Sequence, residues 1–84
     1  MSHAHILVPT QLLRSVWPPN PGLMPGDEQF DAMLVDVREN GILEPLTARL
    51  NWELIDGHHR LFAAKMLGIE RVPVQFWTGV EMVL

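Results

Sequence analysis

Leu54-Ile55-Asp56-Gly57-His58-His59-Arg60-Leu61-Phe62-Ala63-Ala64-Lys65-Met66-Leu67-Gly68 joins two different kinds of structure across one dipeptide. Residues 52–55 favour β structure, whereas from His58 onward the residues are helix formers that close on a glycine. Asp56-Gly57 breaks the pattern between them, so the stretch reads as strand, turn, helix. A helix start leaves its first backbone N–H groups without intrahelical partners, and the aligned peptide dipoles put partial positive charge there. Anions are drawn to such an end, and Gly57 allows close approach to the backbone. Arg60 adds a permanent charge and a planar fork of donors suited to phosphate, with His59 in the same first turn. Gly57, His58, His59 and Arg60 are therefore the candidate phosphate-binding residues. Asp56 is the candidate catalytic group, as a base or a divalent-ion ligand, although an aspartate ahead of a helix is ordinarily a cap.

Working outward, residues 46–50 read as a strand with Leu46, Ala48 and Leu50 on one face, turning at Asn51 into a returning strand over 52–55. Upstream, Phe30, Met33, Leu34 and Val37 recur at helical spacing between an N-cap at Asp27 and a closing Gly41. The segment before that helix, residues 17–26, holds four prolines and is expected to be an extended loop. His5-Ile6-Leu7-Val8 is a short β-favouring run ended by Pro9, and Thr10 is expected to cap a helical turn through Arg14. Downstream, residues 72–77 form the last strand, where Pro73 suggests an edge position or the strand's first residues. Residues 78–84 are apolar enough to pack but carry no assignable pattern.

The bulk composition bounds the function. At 84 residues the chain is expected to be one domain spanning 1–84. The net charge of −4 and six dispersed basic residues argue against direct binding to a DNA backbone, which calls for a clustered Lys/Arg surface. A single phosphate pocket needs no such surface. The absence of cysteine removes any thiolate nucleophile or Cys-ligated zinc. His58 and His59 are adjacent, so they diverge on a helix and cannot chelate as an i, i+4 pair; no metal site is expected there. The N-terminus has no signal-peptide pattern and no run reaches membrane-spanning length, which points to a cytoplasmic protein without membrane contact.

Taken together, Glu39-Asn40-Gly41-Ile42-Leu43-Glu44-Pro45-Leu46, the strand-turn-helix stretch and Val72-Pro73-Val74 resemble the N-terminal domain of ParB partition proteins and the wider ParB/sulfiredoxin superfamily. The resemblance runs over about residues 6–76, and Pro19-Asn20-Pro21 is similar to the proline-rich loop of ParB proteins. It implies an α+β fold with a short mixed sheet and two main helices. It also implies that the Gly-x-x-Arg turn binds nucleotide phosphates, with CTP or ATP as ligand and Mg2+ as its companion. Sulfiredoxins read Gly-Cys-His-Arg at this turn, which places their nucleotide-binding His and Arg on His59 and Arg60. Their nucleophilic cysteine corresponds to His58, so sulfinic acid repair is excluded. ParB proteins carry Gly-Glu-Arg-Arg, so their acidic residue is absent too, and Asp36 stands where relatives place Ser or Thr.

Three functions stay open on the sequence. The first is a nucleotide-binding domain acting in DNA partition or regulation, on a plasmid or phage, with a protein partner or a second copy, since the DNA-binding and dimerisation domains of ParB proteins do not fit after Trp77. The second is a metal-dependent ParB-like nuclease or phosphotransferase using Asp56 or Asp36. The third is a ligand-free adaptor or inhibitor that works through an apolar face bearing Trp17, Trp52 or Trp77.

Overall fold

The computed structural model describes residues 5–15 and 26–83. Five strands and two helices follow in the order β1 (Ile6–Pro9), a 3-10 turn (Thr10–Leu12), α1 (Glu28–Asn40), β2 (Leu46–Arg49), β3 (Leu54–Asp56), α2 (His58–Met66), β4 (Arg71–Trp77) and β5 (Met82–Val83). The sheet runs β1-β4-β2-β3, with β2 parallel to β4 and the other pairs antiparallel. This is the expected mixed α+β architecture. No helix among the described residues is long and apolar enough to cross a membrane.

The local signals explain α1. Asp27 Oδ1 accepts from the backbone N–H groups of Gln29 and Phe30 at 3.0 and 3.3 Å, which satisfies two donors the helix cannot. At the other end Gly41 takes φ 74°, and its N–H donates to the Val37 carbonyl at 2.9 Å.

The elements stack as sheet, α2 and α1. Leu61 and Ala64 of α2 are buried with Val8, Leu46, Leu54, Val72 and Val74 of the sheet. The opposite side of α2 receives α1: Phe30, Val37 and Ala63 are buried together, and the Phe30 and Phe62 ring centroids lie 5.6 Å apart. α2 lies between the two layers and packs against both, with Ile42 and Ile69 at the seam.

Four expectations are corrected. Thr10 does not cap a following helical turn; it is buried as the first residue of the 3-10 turn, where its hydroxyl donates to the Ile69 carbonyl at 2.7 Å and its N–H to the Glu70 carbonyl at 2.8 Å. Leu50 lies in the hairpin turn and is exposed, and Trp52 has φ 74°, so β3 starts at Leu54 instead of Trp52. The Trp52 ring packs edge-on against Phe76, which holds that uncommon backbone in place. Of the two placements expected for Pro73, the edge is not found, since β4 lies between β1 and β2; the proline stands among the strand's first residues, ahead of Val74 where the pairing with β2 begins. The tail, left unassigned, returns as β5 on Phe76 and Trp77, turned by the Thr78 hydroxyl accepting from the Val80 and Glu81 N–H groups. Trp17 and the proline-rich loop, apart from Gly26, lie outside the described residues.

Phe30→Ala removes the aromatic anchor between α1 and α2 and is expected to cost about 3–5 kcal/mol, the usual range for a buried Phe truncation. Urea unfolding followed by circular dichroism checks this, and a variant with the wild-type midpoint would contradict the layer assignment.

Candidate functional site

β3 ends at Asp56 and α2 begins at His58, leaving Gly57 alone to turn the chain. It does so at φ 95°, in the left-handed region, and a Cβ there would stand 2.5 Å from Leu46 Cδ2 and 3.5 Å from Arg60 Nη2. Glycine is required both for the backbone angle and for the contact. The first intrahelical bond is donated by Leu61 to the Gly57 carbonyl at 2.8 Å, and Gly57, as the N-cap residue, has no side chain with which to cap this end. A helix start of this kind carries the partial positive charge that attracts anions.

Arg60 lies within this turn with its side chain 25% exposed. Its Nη1 donates to the Glu44 carbonyl at 3.2 Å, which fixes the guanidinium against the α1–β2 connection. The Glu44 and Asp56 carboxylates approach at 3.8 and 3.7 Å and are themselves 86% and 76% exposed. Ion pairs so long and so well solvated are worth about 0–1 kcal/mol, so they hold the guanidinium only weakly. Asp56 thus faces Arg60, while nothing in the arrangement assigns it a catalytic role. Asp36 accepts from Asn40 Nδ2 at 2.8 Å and lines, with Met33, Ile42 and Arg60, a depression of about 340 Å3.

A second depression, of about 380 Å3, lies on the other side of Arg60 and is lined by His5, Thr47, Asp56 and Gln75. Gln75 Nε2 donates to Thr47 Oγ1 at 3.2 Å across adjacent strands. Asp56 belongs to this group because of a bulge: Thr47 faces Asp56 while Ala48 faces Leu54, so one step on β2 spans two on β3. Without that extra residue Asp56 and Leu54 would share a face, and the carboxylate would point with the buried leucine.

Gly57, His58, His59 and Arg60 are held together by one turn, as their adjacency requires. The sequence reading missed Thr47, Gln75 and Ser15, whose Oγ lies 2.6 Å from His58 Nδ1. For Thr47 and Gln75 a signal existed, since each interrupts an otherwise apolar strand. Ser15 offered none, being 43 residues from its partner. Among the described residues no three His, Asp or Glu side chains gather as a metal-ligand set.

The model of the ParB N-terminal domain family matches residues 4–78. The chain belongs to this family. A probable plasmid-partitioning protein ParB of Thermus thermophilus is 39% identical over 51 residues, which covers 57% of this chain and 17% of that protein. The structure of a C-terminally truncated chromosome-partitioning protein ParB from Caulobacter crescentus, complexed with CTP-γ-S, superposes with a TM-score of 0.73 at 22% identity, covering 90% of this chain and 45% of that one. Sulfiredoxin from Arabidopsis thaliana gives a TM-score of 0.66 at 17% identity, covering 92% and 88%. These two likenesses establish the shared fold. The chain spans less than half the length of either ParB relative. Membership in the ParB N-terminal domain family does not support the expectation that direct DNA binding is unlikely, because net charge is a sum over the domain and local contacts are set by where the cations lie.

Gly57→Ala places a side chain at a left-handed position and against buried Leu46, and is expected to destabilise the ParB-type domain by about 1–2 kcal/mol from backbone strain alone. A lowered urea midpoint checks this; an unchanged midpoint would show that the turn tolerates another backbone geometry.

Proposed function

We propose that this ParB-type domain binds a nucleoside triphosphate, CTP before ATP, with its phosphates at the turn from Gly57 to Arg60, and that it acts in DNA partition. The observation that carries this reading is the start of α2 at a left-handed glycine, with the partly buried Arg60 side chain held beside it. The donor set fits phosphate: backbone N–H groups, a close approach at Gly57, and a planar cation. The solvated carboxylates of Asp56 and Glu44 also fit a magnesium ion brought with the nucleotide, since that ion takes one or two carboxylates besides phosphate oxygens. CTP is placed first because a ParB of the same fold has been solved with CTP-γ-S. Partition is proposed because both ParB relatives carry that description.

The nuclease reading requires a divalent ion held firmly enough to activate water. Asp56 and Asp36 line different depressions, and among the described residues no three His, Asp or Glu side chains are grouped to hold a metal ion, so the geometry favours binding over metal-dependent cleavage.

Calorimetric titration with CTP, ATP and GTP, with and without magnesium, is expected to give saturable binding strongest for CTP. Arg60→Ala is expected to abolish it while leaving the circular dichroism spectrum unchanged. Equal binding by wild type and a folded Arg60→Ala variant would overturn the assignment.

A further inference from the structure

The far end of α2 bears a hollow that phosphate binding at Arg60 leaves unused. α2 closes through Gly68 at φ 70°, and after Ile69 and Glu70 the chain enters β4 at Arg71. Buried Thr10 pins this connection, its hydroxyl donating to the Ile69 carbonyl at 2.7 Å and its N–H to the Glu70 carbonyl at 2.8 Å. Beside it lies a depression of about 700 Å3, larger than either one at Arg60, whose lining includes Pro9, Gln11, Lys65, Ile69, Glu70 and Arg71.

The charges at this hollow differ from those elsewhere on the domain. The Arg14, Arg49 and Arg60 side chains each hold a carbonyl or a carboxylate. Lys65 and Arg71 are exposed, and among the described residues their side chains take part in no hydrogen bond or ion pair. Lys65, in the last turn of α2, complements the helix dipole, but Arg71 opens a strand and has no such role. Two cations without partners at one hollow suit an anionic occupant. The rest of the lining decides which kind. Pro9 and Ile69 add apolar surface, and Leu12 and Met66, the sequence neighbours of Gln11 and Lys65, are 45% and 47% exposed. A nucleic-acid backbone gains nothing from such surface, and the Glu70 carboxylate repels a continuous run of phosphates. A peptide meets all three features: a carboxylate for the cations, an apolar side chain for Pro9 and Ile69, and backbone N–H donors for Glu70.

We propose that the hollow between the end of α2 and the start of β4 is a docking site for an acidic peptide segment of a partner protein, with Lys65 and Arg71 taking its carboxylate. The site does not depend on nucleotide binding. α2 has nine residues, which sets its two ends about 12 Å apart along the helix axis.

Selection of a displayed library of random peptides against the whole chain tests this. It is expected to enrich sequences that combine Asp or Glu with an aliphatic or aromatic residue. A synthetic peptide of the enriched sequence, titrated into 15N-labelled protein, is expected to shift the amides of Gln11, Lys65, Gly68, Ile69, Glu70 and Arg71. Lys65→Glu combined with Arg71→Glu is expected to weaken its binding roughly tenfold or more, the scale of losing two charge-assisted contacts at an open site. Lys65→Arg combined with Arg71→Lys, which keeps both charges, is expected to retain binding, and circular dichroism checks that each variant is folded. No enrichment of acidic sequences, shifts centred elsewhere, or equal binding by a folded charge-reversed variant would each overturn the proposal. A duplex DNA fragment that shifts the same amides, and loses them in the charge-reversed variant, would assign the hollow to nucleic acid and overturn it as well.

Discussion

Gly57 turns the chain with a φ of 95° in the one place where Leu46 leaves no room for a Cβ. That steric constraint ties the end of β3 to the start of α2 with no intervening loop, and it packs the turn against the first residue of β2. The direction of α2 follows from it, and α2 is the element on which both the sheet and α1 are built. The same left-handed residue has no capping side chain of its own, so the feature that fixes the fold also sits at the positively polarised end of α2. Fold and site share one cause.

The electrostatics of the site are local. A chain of net charge −4 has little long-range attraction for a polyanion, yet at the turn a fixed guanidinium and a helix dipole act within a few ångströms. The neighbouring carboxylates of Glu44 and Asp56 are solvated and distant enough to move aside or turn toward a cation. Under the proposed function, these carboxylates would meet a phosphate that arrives with a metal ion and share that ion with it.

Where the structure could be read from the sequence, the signals were local. Asp27 and Gly41 bound α1 because a cap carboxylate and a left-handed glycine act on the residues beside them. Gly57 to Arg60 stood out for the same reason: four consecutive residues contain the whole turn. The readings that failed depended on distant partners. Trp52 looked like a strand residue by propensity, but its ring packs on Phe76 and its backbone turns left-handed. Of the two placements Pro73 suggested, the edge failed, since staggered neighbours leave one side of β4 open at that point. The bulge that turns Asp56 toward Thr47, and the approach of Ser15 to His58, arise from pairings between segments that no spacing rule connects.

The central claim is that the start of α2 is where the ligand's phosphates bind. Titration of 15N-labelled protein with magnesium and CTP, followed by amide chemical shifts, tests it most directly. The account predicts that the largest changes fall on the amides of Gly57, His58, His59, Arg60 and Leu61 and on the Arg60 side-chain Nε–H. Saturating changes centred elsewhere, such as the Lys65 to Arg71 end of α2, or no changes in a folded protein, would contradict it.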